Sequence, residues 1–196
     1  MAECSNRGGT LVSRRKRRQP GTVHHPGSGP GFGTLAGFGT LSCGLWPSPE
    51  KAPLNARIIG RVERDGYSIE KAYFQTYPGF YLAGNLYRPL GKGSGPFPPV
   101  LNPHGHWPNG RMADTQDGSI AARCINFARQ GMIAFSCDMV GYNDTGFPDW
   151  PQDEDFQKRH RRFATNEVNL LWNISLMGLQ AWNSVRALDF PEWLAR

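Results

Sequence analysis

Two short apolar runs, each ending abruptly in a polar turn, constrain the fold of this chain most. The first, residues 99–103, leads into His104-Gly105-His106, and the second, residues 133–137, leads into Asp138-Met139-Val140-Gly141. Buried parallel strands that deliver polar loops to one edge of a sheet have this pattern. Because ligands of open α/β sheets bind at the carboxyl ends of the strands, these two loops are the first candidates for a functional site.

The segment between the two runs predicts a helix. Asp117 is a candidate N-cap and Gly131 stands at the stop position. Between them, apolar residues recur at helical spacing: Ile120, Ala121, Cys124, Ile125 and Ala128. A strand, a helix and a second strand in this order predict a βαβ unit, in which the two strands are parallel.

Three further strands are predicted before this unit. Residues 58–63 and 68–76 flank Asp65-Gly66, which is a strong hairpin signal, and residues 80–87 follow a second turn at Tyr77-Pro78-Gly79. The expected fold class is therefore α/β, with antiparallel lead-in strands followed by the βαβ unit.

After the second apolar run, residues 143–162 are polar and irregular, and a long helix is predicted from residue 165 or 166 to about residue 190. Its expected packing face comprises Leu171, Ile174, Gly178, Trp182, Val185 and Ala187. Trp172 and Trp182 are interpreted as packing residues rather than as platforms for a substrate.

From Gly44 onwards the chain resembles bacterial α/β-hydrolases of the acetyl xylan esterase-like group, which are related to dienelactone hydrolases. The matching pieces occur in family order and together span roughly three quarters of the chain. They are Leu45-Trp46-Pro47, Pro53-Leu54-Asn55, Gly79-Phe80-Tyr81, Gly84-Asn85-Leu86-Tyr87-Arg88-Pro89, Pro103-His104-Gly105-His106, Arg129-Gln130-Gly131 and Asp138-Met139-Val140-Gly141-Tyr142.

The resemblance implies that residues 44–196 are the amino-terminal part of an α/β-hydrolase three-layer sandwich. In that fold the nucleophilic serine lies on a Gly-x-Ser-x-Gly turn after a later strand, and the acid and the histidine follow it. No serine of this chain has glycine both two positions before and two positions after it. We therefore expect a carboxylic-ester hydrolase lineage, with a small acetyl-type ester as substrate, and a chain that is inactive alone. The alternative is a non-catalytic α/β fragment or binding module.

The resemblance also assigns roles to the two loops. His104, Gly105, His106 and Trp107 would form an oxyanion and pocket loop, in which the N–H of Gly105 or His106 binds the oxyanion while the His104 ring braces the loop. Asp138, Gly141 and Tyr142 would organise the second loop, and a structural Asp138 is the preferred interpretation. A structural turn with a hydrogen-bonded imidazole is the simpler alternative for His104.

Other side chains are further candidates for sites. A zinc pair of His104 and His106 is the sharper alternative, but no further ligand has suitable spacing, so no metal and no cofactor are expected. His160 lies in a basic run and is predicted to be solvated. The acidic residues after Asp138 are interpreted as a solvated insertion at the mouth of the pocket: Asp144, Asp149, Asp153, Glu154 and Asp155.

Residues 1–43 are a different kind of sequence and are expected to be a disordered Gly/Arg-rich extension. Five of the six residues from Ser13 to Arg18 are basic. The first 50 residues hold 6 Lys/Arg and 2 acidic residues, a net charge of +4 out of the chain's +6. Because the basicity belongs mainly to this tail, no nucleic-acid partner is expected. Arg14-Arg15 leaves export open, but no convincing cleavage site follows, so localisation stays undetermined.

The cysteines and the hydropathy set further bounds. Cys124 and Cys137 are predicted to be buried and unpaired, Cys4 and Cys43 lie in the tail, and no C-x-x-C pair occurs, so neither a disulfide framework nor a zinc site is indicated. The chain has no run of 18 apolar residues, and no membrane span is expected. The sequence does not determine the oligomeric state.

Overall fold

The computed structural model describes residues 44–45, 47–146 and 155–190. Its main feature is a mixed five-stranded sheet built from β1 (Arg57–Arg64), β2 (Tyr67–Tyr77), β3 (Phe80–Pro89), β4 (Pro99–Leu101) and β7 (Ile133–Cys137). The strand order is β1-β2-β3-β7-β4, and a small separate hairpin is formed by β5 (Asp114–Thr115) and β6 (Gly118–Ser119). The α/β class predicted from the sequence is confirmed.

The lead-in strands and the βαβ unit have the predicted directions. β1, β2 and β3 pair antiparallel, and β3 pairs antiparallel with β7. β4 runs parallel to β7 in the register Pro99 opposite Ile133. Within the described residues β4 lies at the edge of the sheet and pairs only with β7. The apolar run continues past Leu101 as a loop.

Helix α1 (Ile120–Arg129) connects β4 to β7, and its ends follow standard capping rules. Its N-cap is Ser119, whose hydroxyl accepts a hydrogen bond from Ala122 N at 3.0 Å, so the prediction of Asp117 as N-cap was wrong. At the other end Gly131 has φ +89°, with Gly131 N donating to Ala128 O and Met132 N to Phe127 O. This is a Schellman motif, which explains why the helix stops where the glycine predicted.

The region expected to be irregular contains a helix, and the expected long helix is broken. Helix α2 (Phe156–Thr165) is capped by Asp155, whose carboxylate accepts from Gln157 N at 2.8 Å. The long helix is replaced by α3 (Glu167–Leu171) and α4 (Leu176–Leu188). Asn173, at φ +54°, ends the first in a second Schellman motif, and the Ser175 hydroxyl caps the second by accepting from Gly178 N at 2.8 Å.

Side chains of β7 divide the core into two faces. Ile133, Phe135 and Cys137 pack with Ala187 of α4 on one face, whereas Ala134 packs with Cys124 of α1 on the other. Helices therefore cover both faces of the sheet, as expected for strands that are fully buried. A third apolar cluster joins α2 and α4 to the carboxyl ends of the strands and comprises Leu45, Phe80, Val140, Phe163, Leu179 and Trp182.

The break changes the packing face that was predicted for the long helix. Trp182 is buried and donates from Nε1 to Thr76 O at 2.7 Å, as its predicted packing role requires. By contrast Leu171 and Trp172 are 84% and 75% exposed, so the prediction that they pack was wrong. No helix in the described part of the chain has the length and hydropathy to cross a bilayer.

Candidate functional site

The two loops singled out from the sequence meet at the carboxyl edge of β4 and β7. The first comprises residues 102–107 and the second residues 138–145. Asn102 fixes the start of the first loop: its backbone N donates to Phe135 O at 2.8 Å, and its side-chain amide donates to Cys124 Sγ at 3.2 Å. The first loop therefore leaves the sheet from a position held by both β7 and α1.

The His104 ring connects the first loop to the second. Its Nε2 accepts a hydrogen bond from Met139 N at 3.1 Å, and its Nδ1 donates to Gly105 O at 2.6 Å. The side chain is fully buried. Burial lowers the pKa of His104, an effect that the nearby Arg111 reinforces and the hydrogen bond to Gly105 opposes. These contacts describe a neutral imidazole with its proton on Nδ1.

Both nitrogens of His104 are thus occupied within the protein. Nε2 also lies 3.3 Å from Asp138 Oδ1, but its lone pair already faces the Met139 N–H. A zinc pair of His104 and His106 would need that lone pair. Within the described residues no group of three or more His, Cys, Asp or Glu side chains is arranged to hold a metal ion.

The peptide of Gly105 is held by two donors. Its carbonyl accepts from His104 Nδ1 and, at 2.8 Å, from Trp107 N, which closes a three-residue turn. The Trp107 ring lies over Gly118, where an added Cβ would come within 3.2 Å of the ring. The backbone N–H groups of Gly105 and His106 donate to no acceptor in the described part of the chain, and both residues are exposed.

Asp138 is the centre of the second loop's hydrogen bonds. Its side chain is fully buried, and Oδ1 accepts from Arg111 N at 3.0 Å and from Asn143 Nδ2 at 2.8 Å. Oδ2 forms an ion pair with Arg111 Nη1. The other terminal nitrogen of Arg111, Nη2, donates to Asp144 Oδ2 at 2.6 Å, and the Asp144 side chain is 69% exposed. Arg111 therefore joins a buried carboxylate to an exposed one.

Gly110 permits this close packing. It has φ +52°, and an added Cβ would lie 2.7 Å from Asp138 Oδ1 and 3.0 Å from His104 Nε2. A side chain at this position would push the carboxylate and the imidazole apart. The short 3-10 helix Gly110–Met112 thus places the Arg111 backbone N–H directly against Asp138.

His160 and Tyr142 complete the site. His160 is 9% exposed, so the prediction that it is solvated was wrong. Its ring approaches the second loop at Val140 O and the first loop at His106. The Tyr142 ring contacts the imidazoles of His104 and His160 edge to face, with centroids 4.8 and 5.5 Å away. Burial raises the pKa of Tyr142, and the Asp155 charge raises it further.

Asp138 also lines a cavity of about 280 Å³. The cavity lies between the strand ends and α4, and most of its wall is apolar. Its lining comprises Leu82, Pro103, Cys137, Asp138, Met139, Met177, Gln180, Ala181, Asn183 and Ser184. Small-molecule sites have this character, with a mainly apolar wall and a few polar groups that fix orientation.

Three site residues are not indicated by the sequence. Gly110 and Arg111 lie in the short 3-10 helix and Asn143 in a loop, none of them within a periodic pattern, and only their proximity in sequence to the two apolar runs could have suggested them. Asp144 and Asp155, expected in a solvated insertion, are both exposed; Asp144 is also paired with Arg111, and Asp155 caps α2. Asp149, Asp153 and Glu154 lie outside the described residues.

Comparison with solved structures shows which fold this is. Methylesterase BT1017 superposes with a TM-score of 0.50 and 21% identity over 78% of this chain. A protein assigned as an acetyl xylan esterase from Bacteroides fragilis superposes with a TM-score of 0.55 and 18% identity over 80% of this chain. The acetyl xylan esterase from Paenibacillus sp. R4 superposes with a TM-score of 0.50 and 20% identity over 71% of this chain. The described part of the chain therefore has an esterase-like fold.

The match is partial on the side of those esterases. This chain spans 28% of the length of the methylesterase and 41% of each of the two other proteins. No protein-family model and no curated protein matches the sequence. What the comparisons establish is therefore the fold.

Proposed function

We propose that residues 44–196 belong to a carboxylic-ester hydrolase and supply the oxyanion side of its active site. The observation that carries this proposal is the state of the 102–107 loop: the Gly105 carbonyl is held by two donors, while the Gly105 and His106 N–H groups remain free for a ligand. The esterase-like fold and the position of the loop at the carboxyl edge of β4 support the same role.

The chemistry follows from those donors. Attack on an ester carbonyl places negative charge on its oxygen, and fixed backbone N–H groups stabilise that charge without having to reorganise during the reaction. One such donor contributes about 2.7–4 kcal/mol to transition-state stabilisation in serine hydrolases. In our proposal His104 braces the loop, Trp107 lines it, and Asp138 with Gly141 and Tyr142 organises the facing loop. The cavity beside Asp138 would receive the acyl or alcohol part of a small ester, for which an acetyl ester is the expected case.

The proposal needs a nucleophile that the 196 residues do not contain. No serine in the sequence lies on a Gly-x-Ser-x-Gly turn, which is where this fold holds its nucleophile. We propose that the nucleophile, its histidine and its acid belong to a segment that follows residue 196 in the complete enzyme, and that the 196-residue chain alone has no turnover. The same missing serine is the observation that favours the second candidate, a non-catalytic α/β fragment or binding module.

One sequence determination and one activity assay test the proposal. The genomic sequence after the Arg196 codon should encode, in frame and within about 20 residues, a short apolar strand and a Gly-x-Ser-x-Gly turn. The longer protein should release a burst of p-nitrophenol from p-nitrophenyl acetate, and replacing that serine with Ala should abolish the burst. The 196-residue chain is the matched control and should show no burst.

The two candidates predict different outcomes. An in-frame continuation without such a serine would favour the non-catalytic fragment or binding module and reject the hydrolase. A stoichiometric burst from the 196-residue chain itself would also overturn the proposal, because it would require a nucleophile among the residues already present.

A further inference from the structure

Two histidines that are far apart in sequence face each other across the site. His106 lies on the first loop and His160 on α2, and their Nε2 atoms are 3.1 Å apart. The rings are nearly perpendicular, at 82°, with centroids 5.0 Å apart. His160 is buried whereas His106 is exposed, so the contact joins the solvent-facing loop to a position inside the protein.

The hydrogen-bond partners fix which ring donates. His160 Nδ1 lies 2.7 Å from Val140 O, and since a carbonyl can only accept, Nδ1 carries the proton. In a neutral imidazole the other nitrogen is then an acceptor. In the neutral pair His106 therefore donates its Nε2–H to His160 Nε2. A protonated His160 can instead donate to a neutral His106 that carries its proton on Nδ1, so the bond is lost only when both rings are protonated.

The surroundings of His160 do not favour a positive charge. The titratable groups that face it are the imidazoles of His104 and His106 and the phenol of Tyr142. On its own helix Arg159 is adjacent and donates to Asn143 O at 3.4 Å. Burial lowers the pKa of His160, and His106 and His104 lower it further, against the opposing effect of the Val140 hydrogen bond.

The carboxylates in the neighbourhood have other partners. Asp155 lies at the N-terminus of α2, where it caps the helix. Asp138 and Asp144 are paired with Arg111. The α2 backbone packs closely on Gly141, where an added Cβ would lie 2.9 Å from His160 N. His160 is therefore held at the second loop by its bond to Val140 O and by this packing, and the first loop is its exchangeable partner.

We propose that His160 is a positioning residue that holds the 102–107 loop through His106 while at least one of the two rings is neutral, and that protonation of both rings releases this contact. When both rings are protonated, all four ring nitrogens are donors and the contact between the two Nε2 atoms has no acceptor. The loop then keeps its anchors at Asn102 and His104 but loses the one at His106. Insofar as the loop binds an oxyanion, this inference rests on the proposed function and makes the oxyanion site pH-dependent.

Nuclear magnetic resonance of the 196-residue chain tests this without any substrate. The chain has five histidines, so His24 and His25 are replaced with Gln in every sample, which leaves the three site imidazoles as reporters. As the pH is lowered from about 7.5 to about 5, the Gly105 amide signal should shift with the later of the two protonation midpoints of the His106 and His160 rings. The His104 ring, whose Nε2 is occupied by Met139 N–H, should not share that midpoint.

The variant His160→Gln separates positioning from simple packing. Its amide oxygen can accept from His106 in either protonation state of that ring, its NH2 can donate to Val140, and it cannot be protonated in this range, so the Gly105 amide should lose this transition and keep its high-pH position. His106→Gln supplies the reciprocal test, because the midpoint of His160 should rise when the facing imidazole is gone. Unchanged loop titration in His160→Gln, or an unchanged His160 midpoint in His106→Gln, would overturn the inference. Since neither readout depends on ester hydrolysis, both remain decisive if the proposed activity is not found.

Discussion

The Arg111 bridge makes a prediction that contrasts its two carboxylate partners. Asp138→Asn removes the charge that faces Arg111 without leaving a cavity, and Asp144→Asn does the same at the other end of the guanidinium. Asp138 is fully buried and accepts two further hydrogen bonds, whereas Asp144 is 69% exposed. The two substitutions should therefore have very different effects on the free energy of unfolding.

The magnitudes follow from burial. Removing one member of a buried ion pair costs about 3–5 kcal/mol, because it leaves the other charge in a poorly solvated position. We expect Asp138→Asn to lie near the lower end, at about 3 kcal/mol, since Arg111 keeps its contact with Asp144. An exposed pair contributes only about 0–1 kcal/mol, and Asp144→Asn should remain within that range.

Urea unfolding followed by circular dichroism is the assay. A loss of about 3 kcal/mol is a large part of the roughly 5–15 kcal/mol typical of a domain, so the midpoint of Asp138→Asn should fall clearly. Added salt of about 1 M should erase most of the Asp144→Asn effect but little of the Asp138→Asn effect, because buried pairs are poorly screened. Equal losses for the two variants, or a larger one for Asp144→Asn, would refute the argument.

Two further predictions concern the core. Gly84→Ala should destabilise the chain by about 1–3 kcal/mol or prevent folding, because the new Cβ would lie 2.4 Å from the Phe135 ring and 2.6 Å from Ser136 O. Gly60→Ala is the control and should be nearly neutral, since the nearest atom to its new Cβ is 3.9 Å away. Thermal unfolding compares the two variants, and equal stability would contradict the packing described. Burial raises the pKa of Cys124 to about 11 and that of Cys137 to about 12. In a variant with Cys4→Ser and Cys43→Ser, a thiol reagent such as DTNB at about pH 8 should therefore react only after urea unfolds the chain. Rapid reaction of the native protein would show that one of the two thiols is accessible.

The strands and their turns could be predicted because their signals are local. Alternation along residues 68–76 and the Asp65-Gly66 pair specify a hairpin whatever the rest of the chain does, and Gly66 has φ +78° as that turn requires. The parallel pairing of β4 with β7 followed from two apolar runs separated by one helix. Both loops of the candidate site could be located for the same reason, since each begins where an apolar run ends.

The broken helix shows where periodicity misleads. An apolar residue at every third or fourth position fits one long helix as well as two short ones, so the pattern alone could not separate them. The signals that do separate them were present: Asn173 can adopt a positive φ at a helix end, and Ser175 can cap the next helix. The tertiary contact that stabilises the break, Ser175 N donating to Gly44 O at 2.9 Å, comes from a residue far away in sequence.

The buried polar residues of the site, Arg111, Arg159 and His160, could not be predicted, because their burial depends on contacts between segments that are distant in sequence. The α2 segment contains Arg159 and His160 on its buried side, and such residues are normally read as solvent-facing. Arg111 directly follows Pro108-Asn109-Gly110, outside any sustained apolar periodicity, so no pattern places it beside the loops. Their burial depends on partners that only the fold supplies, namely His106 and Asp138.

Three contacts connect the segment after β4 to the segment after β7 or to the helix packed on it. His104 accepts from Met139 N, Arg111 pairs with Asp138, and His106 donates to His160. Moving the 102–107 loop would therefore break its hydrogen bonds to Met139 and His160. Donors that are fixed before the substrate arrives are what stabilisation of an oxyanion requires, because no energy is then spent on orienting them. The mutual bracing of the two loops is thus the physical argument behind our proposal of an oxyanion site at Gly105 and His106.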